Sequence, residues 1–379
     1  MSRRGRPASP ARPPVVTAGA APWATLQEAL AGCVNCGKCL PDCPLYQLSR
    51  REEDGIRGKL NVLRWHLGAG LPPSPAATRL FWHCLLCLRC QDACPSGLEL
   101  MRILDATRAA LHTRGLAPIP GRPGKRQAAV IVRAVRPNRA APSRLPPRPR
   151  AFLPALPPAG DDRPAPLLVS PLGRAVWEPA LVAAAALFRR GGLNPVVQVL
   201  RGPSPVRLHW RGDTAGLRAA LDATFAGAPT PTTLLFLEPE LATLWRAHGA
   251  PAEVIDLEGW LLGGGAAIRL DTPPVTALPA PVPMAIAGWQ DWLAQWRILA
   301  PAAWRPPPVE SRGLRAELLA PIDPPAARDL ARRWLHLAGA TGAGAVALTS
   351  PRTQSWLRSS GGSGLPLQPL AILVAGGRT

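Results

Sequence analysis

The residues best suited to chemistry are the cysteines, of which the chain has eight. Cys33, Cys36, Cys39 and Cys43 form one set; Cys84, Cys87, Cys90 and Cys94 repeat its spacing without a slip. Each set reads C-x2-C-x2-C-x3-C and runs straight into a proline, Pro44 or Pro95. Three thiolates at every third position can wrap one cubane in a tight loop, while the fourth leaves on a separate segment. This is the ligand spacing of bacterial 4Fe–4S runs, whose fourth cysteine serves the other cluster. The spacing therefore predicts two 4Fe–4S clusters as cofactors. Cys33, Cys36, Cys39 and Cys94 are the expected metal ligands of the first, and Cys84, Cys87, Cys90 and Cys43 those of the second. Structural zinc usually uses two C-x2-C pairs across a long spacer. A disulfide framework suits short secreted chains. Both fit this pattern less well.

Other residues offer less. Arg57 and Lys59 can bring positive charge near a cluster and raise its potential, set against the plain reading of solvated residues at a helix start. Tyr46, the only tyrosine, follows a cysteine loop and is expected to pack over a cubane rather than relay electrons. Trp245, Trp260, Trp334 and Trp356 fall on helical patterns and read as core. The histidines are scattered. No Ser-His-Asp set, phosphate loop or G-x-G-x-x-G fingerprint stands out, so no catalytic residue is assigned.

The elements that must hold these cysteines are helical. A helix is expected from Thr25, with Leu26 and Leu30 on one face, ending at Gly32. Leu60, Leu63 and Leu67 share the face of another, and Ala77 to Trp82 leads into the second cysteine loop. Ser96 and Glu99 form an S-x-x-E capping box for a helix carrying Leu100, Ile103, Leu104 and Leu111 and stopped by Gly115. A helical stretch between the loops predicts an α-helical ferredoxin-type domain over 22–117, after a basic, Pro-rich tail over 1–21 expected to be disordered. Residues 118–165 are crowded with Pro and Arg and read as a linker, with one apolar run, Ala128 to Val135.

From Leu167 the pattern alternates strands and helices. Leu167–Val169, Val196–Val199 and Leu234–Leu237 read as strands; Glu178–Arg190, Asp213–Phe225 and Pro239–His248 read as helices; Val254-Ile255 leads into Leu257–Leu262. A second copy follows: a helix from Asp323 to Leu337, a strand Ala345–Leu348, a helix Pro351–Arg358, and Leu367–Val374. Pro239 and Arg246 match Pro351 and Arg358. The repeat predicts two related α/β lobes with small parallel sheets, 166–270 and 271–379, with Met284–Ala287 opening the second.

The formal charge is +20, which invites a nucleic-acid reading. The arginines are spread out, however, and no recognition-helix or aromatic-basic pattern accompanies them, so nucleic acid is not expected. An acidic partner or an anionic membrane surface accounts for the charge equally well. No apolar run reaches the ~18 residues of a membrane span, and Ser2 to Pro7 has paired arginines without an apolar stretch behind them. Thiolate clusters point to the cytoplasm, with peripheral attachment at the inner face of the cell membrane left open.

Cys33-Val34-Asn35-Cys36-Gly37-Lys38-Cys39, Cys43-Pro44-Leu45-Tyr46, Arg57-Gly58-Lys59 and Cys87 to Cys94 with Pro95-Ser96-Gly97 resemble the glycolate oxidase iron–sulfur subunit family. That family includes the anaerobic glycerol-3-phosphate dehydrogenase small subunit and heterodisulfide reductase-like proteins. More loosely, the later lobes resemble its paired cysteine-rich CCG domains, each of which should carry Cys-Cys-Gly and a further cysteine. Here no cysteine follows Cys94. Ser204-Pro205-Val206 stands near the first Cys-Cys-Gly, Glu238 and Pro239 near the later position, and Ser350 to Gln354 in the second lobe's equivalent loop, so the lobes read as degenerate. The resemblance implies an electron-transfer subunit, not catalytic alone, fed by an FAD-dependent partner that oxidises a 2-hydroxy acid such as glycolate. Electrons would pass through two 4Fe–4S clusters to a membrane acceptor, quinone being the expected one. The alternative is a non-catalytic iron–sulfur scaffold or redox-sensing protein.

Overall fold

The computed structural model describes residues 23–70, 73–118, 164–226, 231–248, 252–262, 275–277, 319–359 and 366–371. The basic tail, most of the Pro/Arg-rich stretch with its Ala128–Val135 run, and Met284–Ala287 lie outside the described residues. The chain divides into two compact units. One holds the segment up to Cys84, Leu88–Pro118 and Arg211–Thr214; the other holds Leu85–Cys87 and the remainder.

The first unit is helical: α1 (Trp23–Ala31), α2 (Pro44–Ser49), α3 (Ile56–Ala69), α4 (Pro75–Trp82), α5 (Arg89–Asp92) and α6 (Leu100–Thr113). Apolar spacing explains the packing. Leu26 and Leu30 of α1, Ile56, Leu60 and Leu63 of α3, and Leu100, Ile103, Leu104 and Leu111 of α6 are all buried. Each such side chain contributes roughly 1.5–3 kcal/mol when fully buried. Leu67, expected on the same face of α3, is only half-buried. α1, α4 and α5 pack on α6, and α1 and α4 also meet α3. Ser74 caps α4, its hydroxyl accepting from the Ala77 N–H at 3.2 Å, with Pro75 opening the helix. Gly70, at φ 64°, ends α3, and Gly115, at φ 71°, follows α6.

The capping box is not formed. Glu99 itself is the N-cap of α6 and makes no side-chain cap bond. Ser96 lies in the turn where the Gly97 N–H bonds the Cys94 carbonyl at 3.1 Å. The Met101 N–H that a cap would have served is taken by Gln91 Oε1 at 3.2 Å.

The second unit contains two parallel sheets. The first has strand order β2-β1-β3-β4, from β1 (Pro164–Val169), β2 (Asn194–Val199), β3 (Thr233–Phe236) and β4 (Glu253–Asp256). The second is β5-β6-β7, from Val275–Ala277, Ala345–Leu348 and Leu367–Pro369. Parallel neighbours need crossovers, which here include α7 (Pro171–Val176), α8 (Glu178–Arg190), α9 (Pro205–Arg211), α10 (Thr214–Asp222), α11 (Pro239–Ala247) and α12 (Leu257–Leu262) in the first sheet's segment. α13 (Pro324–Ala340) and α14 (Pro351–Ser359) accompany the second. Leu167, Leu168 and Val169 are fully buried, as expected of a parallel strand covered on both faces. Leu168, Phe236, Leu241 and Trp245 share one core.

The expected repeat has a structural counterpart. β3 pairs with β1 and β4, and β6 pairs with β5 and β7, all parallel. Both middle strands run into a helix that opens on proline, Pro239 or Pro351. The described strand beside β6 on that edge is β5, whose three residues are too few to show a strand pattern in the sequence. Helices α7 and α9 were also not expected; α7 is started by Ser170, whose hydroxyl accepts from the Gly173 N–H at 2.9 Å.

Candidate metal centre

The two cysteine loops share a backbone shape as well as a spacing. In the first, Asn35 and Gly37 flank Cys36 with φ of 57° and 78°. In the second, Leu86 and Leu88 flank Cys87 with φ of 53° and 63°. The following turns also match. The Leu40 N–H bonds the Gly37 carbonyl and the Cys43 N–H the Leu40 carbonyl, both at 3.0 Å. In the second loop the Gln91 N–H bonds the Leu88 carbonyl at 2.8 Å and the Cys94 N–H the Gln91 carbonyl at 3.2 Å. Left-handed residues alternating with others curl main-chain N–H groups into a concavity suited to anions. Glycine enters this region freely, but leucine does so at a cost of roughly 1–2 kcal/mol. Backbone strain of this kind persists where function requires it.

Cys33, Cys36, Cys39 and Cys94 line one open cavity, walled by Ile56, Leu60, Leu98 and Leu100 with Arg57 at its side. Thus Cys94, the last cysteine of the second run, lies with the first three of the first run. Cys36 is exposed and neighbouring Val34 is 72% exposed. Burial pushes the Cys39 thiol up to about 11, with backbone hydrogen bonding from Cys39 and Arg57 pulling the other way. Arg57 Nε bonds Asn35 Oδ1 at 2.9 Å and meets Glu52 at 3.2 Å. A side chain at Gly37 would strike the Arg57 guanidinium at 2.8 Å.

The other cysteines sit in a different electrostatic setting. Burial raises the Cys43 thiol, while backbone bonding from Tyr46 and the charge of Lys59 act against that rise and Cys84 adds to it. Lys59 is 1% exposed. Its ammonium donates to the Asp54 carbonyl at 2.5 Å, the Glu53 carbonyl at 2.9 Å and, more weakly, the Gly55 carbonyl at 3.5 Å. Gly58 makes this cage accessible: a Cβ there would lie 2.4 Å from the Glu52 carbonyl oxygen. Burial pushes Lys59 down, opposed by Cys84, Cys43, Asp54 and Cys90 in that order. Asp54 is also pushed up by burial, but bonds from His83, at 2.8 Å, and Ser49 hold it below its ordinary value.

Arg108, on the buried face of α6, was not expected to matter. It is fully buried; its Nε donates to the Phe81 carbonyl at 2.9 Å and its guanidinium lies 6.0 Å from the Trp82 ring centroid. Its Nη1 and Nη2 have no hydrogen-bond partner among the described residues. Burial lowers its pKa, opposed first by Cys84 and then by Asp105. The available signal was a charged residue at a core position between Leu104 and Leu111. Buried donors without partners are costly and fit an anionic group held by neighbouring thiolates.

No disulfide joins any of the eight cysteines. Among the described residues no three His, Cys, Asp or Glu side chains converge on a site for a single metal ion. The thiols, the curled loops and the unpartnered guanidinium donors together fit thiolate-ligated clusters. When bound, such clusters supply one-electron redox chemistry, and the metal holds its thiols deprotonated.

Residues 29–98 match the family described as a 4Fe-4S dicluster domain. The N-terminal segment is thus similar to such domains over those residues. It is homologous to the glycolate oxidase iron-sulfur subunit of Escherichia coli (strain K12), 34% identical over 93 residues, which is 24% of this chain and 23% of the relative. The probable glycolate oxidase iron-sulfur subunit of Bacillus subtilis (strain 168) is 31% identical over 84 residues, covering 22% of this chain and 19% of the relative. The match thus spans less than a quarter of either curated relative. No solved structure matches the chain. The homology supports an electron-transfer role for the dicluster domain.

Beyond the dicluster domain, the positions singled out in the lobes form polar contacts. Ser204 precedes α9. At the carboxyl ends of β1 and β3, where α/β sheets commonly bind ligands, Glu238 accepts from the Ser170 N–H at 2.8 Å and the Ser170 hydroxyl at 2.9 Å. Burial pushes this carboxyl up to about 7, against the Ser170 bonds; Glu240 adds to the rise and Arg352 opposes it. Trp177 Nε1 donates to Gln354 Oε1 at 2.5 Å, and Gln354 Nε2 donates to the Leu367 carbonyl at 2.6 Å. Glu238 and Gln354 are thus satisfied by their neighbours, whereas the buried Ser204 hydroxyl has no hydrogen-bond partner among the described residues.

Proposed function

We propose that the chain is the iron–sulfur electron-transfer subunit of a glycolate oxidase-like complex. It takes electrons from an FAD-dependent partner acting on a 2-hydroxy acid and passes them through two 4Fe–4S clusters towards a membrane acceptor such as quinone. Cys33, Cys36, Cys39 and Cys94 hold one cluster, and Cys84, Cys87, Cys90 and Cys43 hold the other. The observation that carries the reading is Cys94 in the cavity of Cys33, Cys36 and Cys39, an exchange of fourth ligands characteristic of two-cluster ferredoxins. The interaction of Cys43 with Cys84 and Lys59 supports the reciprocal half.

The protein's own part is to position the clusters and set their potentials. The division into a cluster domain over 22–117 and degenerate CCG-type lobes over 166–270 and 271–379, with the lobes serving to dock the partner, belongs to the same proposal. So does work in the cytoplasm or peripherally at the inner face of the membrane. Among the described residues no helix is long and apolar enough to cross a membrane.

The test is anaerobic reconstitution of the full chain, with iron analysis and EPR. The expected result is about eight irons per chain and cluster signals that appear when a 2-hydroxy acid and the co-purified flavoprotein are both added. Two clusters that no 2-hydroxy acid and flavoprotein can reduce would favour the scaffold or sensor instead.

A further inference from the structure

We propose that Lys59 and Arg108 set the potential of the cluster on the Cys43, Cys84 and Cys90 side, making it the electron sink of the domain, while the Cys33, Cys36 and Cys39 side is its exchange face. This rests on the two-cluster reading above.

The asymmetry is one of burial and partners. Net charge and hydrogen bonds tune cluster potentials, and a charge acts most strongly where water cannot screen it. Lys59 is 1% exposed and Arg108 fully buried. Lys59 is held by carbonyl oxygens, which only accept. Three such acceptors use all three hydrogens of an ammonium, so the cage selects the charged form. The two cations are also placed beside these cysteines: Lys59 Nζ and Cys43 Sγ donate to the same Asp54 carbonyl, at 2.5 and 3.8 Å, and Arg108 binds the Phe81 carbonyl three residues before Cys84. Asp54 is in turn bound by His83 at 2.8 Å. The two free guanidinium nitrogens of Arg108 are donors in reserve for sulfur.

Among the described residues the cations of the first side are less deeply buried: Arg64, only partly buried, donates to the Leu30 carbonyl at 2.9 Å and to the Cys33 carbonyl. Arg57 keeps 30% of its side chain exposed and is tied to Glu52 and Asn35. Solvent and an adjacent carboxylate blunt such a charge. Exposed Cys36 and Val34 instead put this side within reach of a docking protein. The transfer is a single electron passing from the reduced exposed side to the oxidised buried side, with no bond made or broken. The electron originates from a reduced flavin of the partner, or from dithionite in the test.

The experiment is an EPR-monitored redox titration of the intact reconstituted protein. Lys59→Met and Arg108→Met should each lower the midpoint of the same one signal. A tenfold fall in its reduced-to-oxidised ratio at fixed potential corresponds to about 59 mV. Lys59→Arg and Arg108→Lys should largely restore it, and Arg57→Met should leave that signal in place. If a variant loses iron, the wild type still decides: a water-soluble paramagnetic relaxation agent should broaden the lower-potential signal and spare the higher one. Unmoved midpoints in iron-replete variants, equal shifts of both signals, or stronger broadening of the higher-potential signal would each overturn the proposal. A wild type with far fewer than about eight irons, or one spectral species, would instead remove the two-cluster reading beneath it.

Discussion

The two cysteine loops share a pair of left-handed positions and two turn hydrogen bonds, yet they are made from different residues, and only the second closes a short helix, α5. The first reaches its left-handed positions with Asn35 and Gly37, two of the residue types best able to do so. The second uses Leu86 and Leu88. The first opens towards solvent through Cys36; in the second, Cys90 is buried. Ligand geometry is evidently set by cysteine spacing and backbone shape. The residues between the cysteines are then free to differ, and that is where the two sites acquire separate characters.

The largest effect comes from exchanging the fourth ligands. Cys94→Ala should remove about half the iron and abolish the signal of the Cys33, Cys36 and Cys39 side, and Cys43→Ala should do the reverse. Site-resolved spectra in which each mutation damages its own run would dissolve the interleaved arrangement.

Next is a contrast between buried ionisable groups in the two units. Lys59 is held by acceptors that favour its charge, whereas Glu238 is buried with its carboxyl raised from 4.5 to about 7. Between those values the folded state binds more protons than the unfolded chain. The associated stability is therefore complete below about 4.5 and lost as pH rises through about 7, by about 3 kcal/mol at most. Unfolding followed by tryptophan fluorescence at pH 5 and pH 8 should show this loss in the wild type and a flatter profile in Glu238→Gln. An equal slope in the variant would assign the effect elsewhere.

A smaller effect concerns the lysine cage. Gly58→Ala places a methyl 2.4 Å from the Glu52 carbonyl oxygen and should destabilise the first unit by roughly 1–3 kcal/mol. It should also lower the midpoint of the buried-side signal as Lys59 is displaced. A normal denaturation midpoint would show that the approach of α3 to the segment before it is not needed.

The smallest test compares the loops directly. Gly37→Ala should cost about 1–2 kcal/mol through its positive φ and disturb the Arg57–Asn35 bond. Leu88→Gly should lie within about 1 kcal/mol of wild type, because relief of the left-handed backbone offsets lost leucine packing. Denaturation curves in which the two changes are equally harmful would remove the distinction.

Much of this was readable from residues. Cysteine spacing carries ligand chemistry directly, and Leu60, Leu63, Leu104 and Leu111 announce the faces that hold the loops. The β3–α11 and β6–α14 units were legible because short apolar runs followed by Pro239 and Pro351 are a strand and a helix start in either lobe. What escaped detection was non-local. Leucine gives no hint of a left-handed conformation, so Leu86 and Leu88 were silent. Arg108 reads as a surface residue until α6 turns it inward. Ser96 and Glu99 had the right spacing for a cap, but the turn after Cys94 claims Ser96 and delays the helix.

The leucines at 86 and 88 bear on how the domain matures. A loop with glycine and asparagine at its bends can keep its shape before any iron arrives. A loop bent against the preference of its own leucines is held only while something rewards the bend. Cluster insertion should therefore be ordered, with the Gly37 loop ready first and the Leu88 loop closing last. Amide exchange in the iron-free chain should be faster at Leu86 and Leu88 than at Asn35 and Gly37, and the two rates should converge once the domain is loaded. On this view one loop serves as a template, while the other, by remaining uncommitted until filled, reports that assembly is complete.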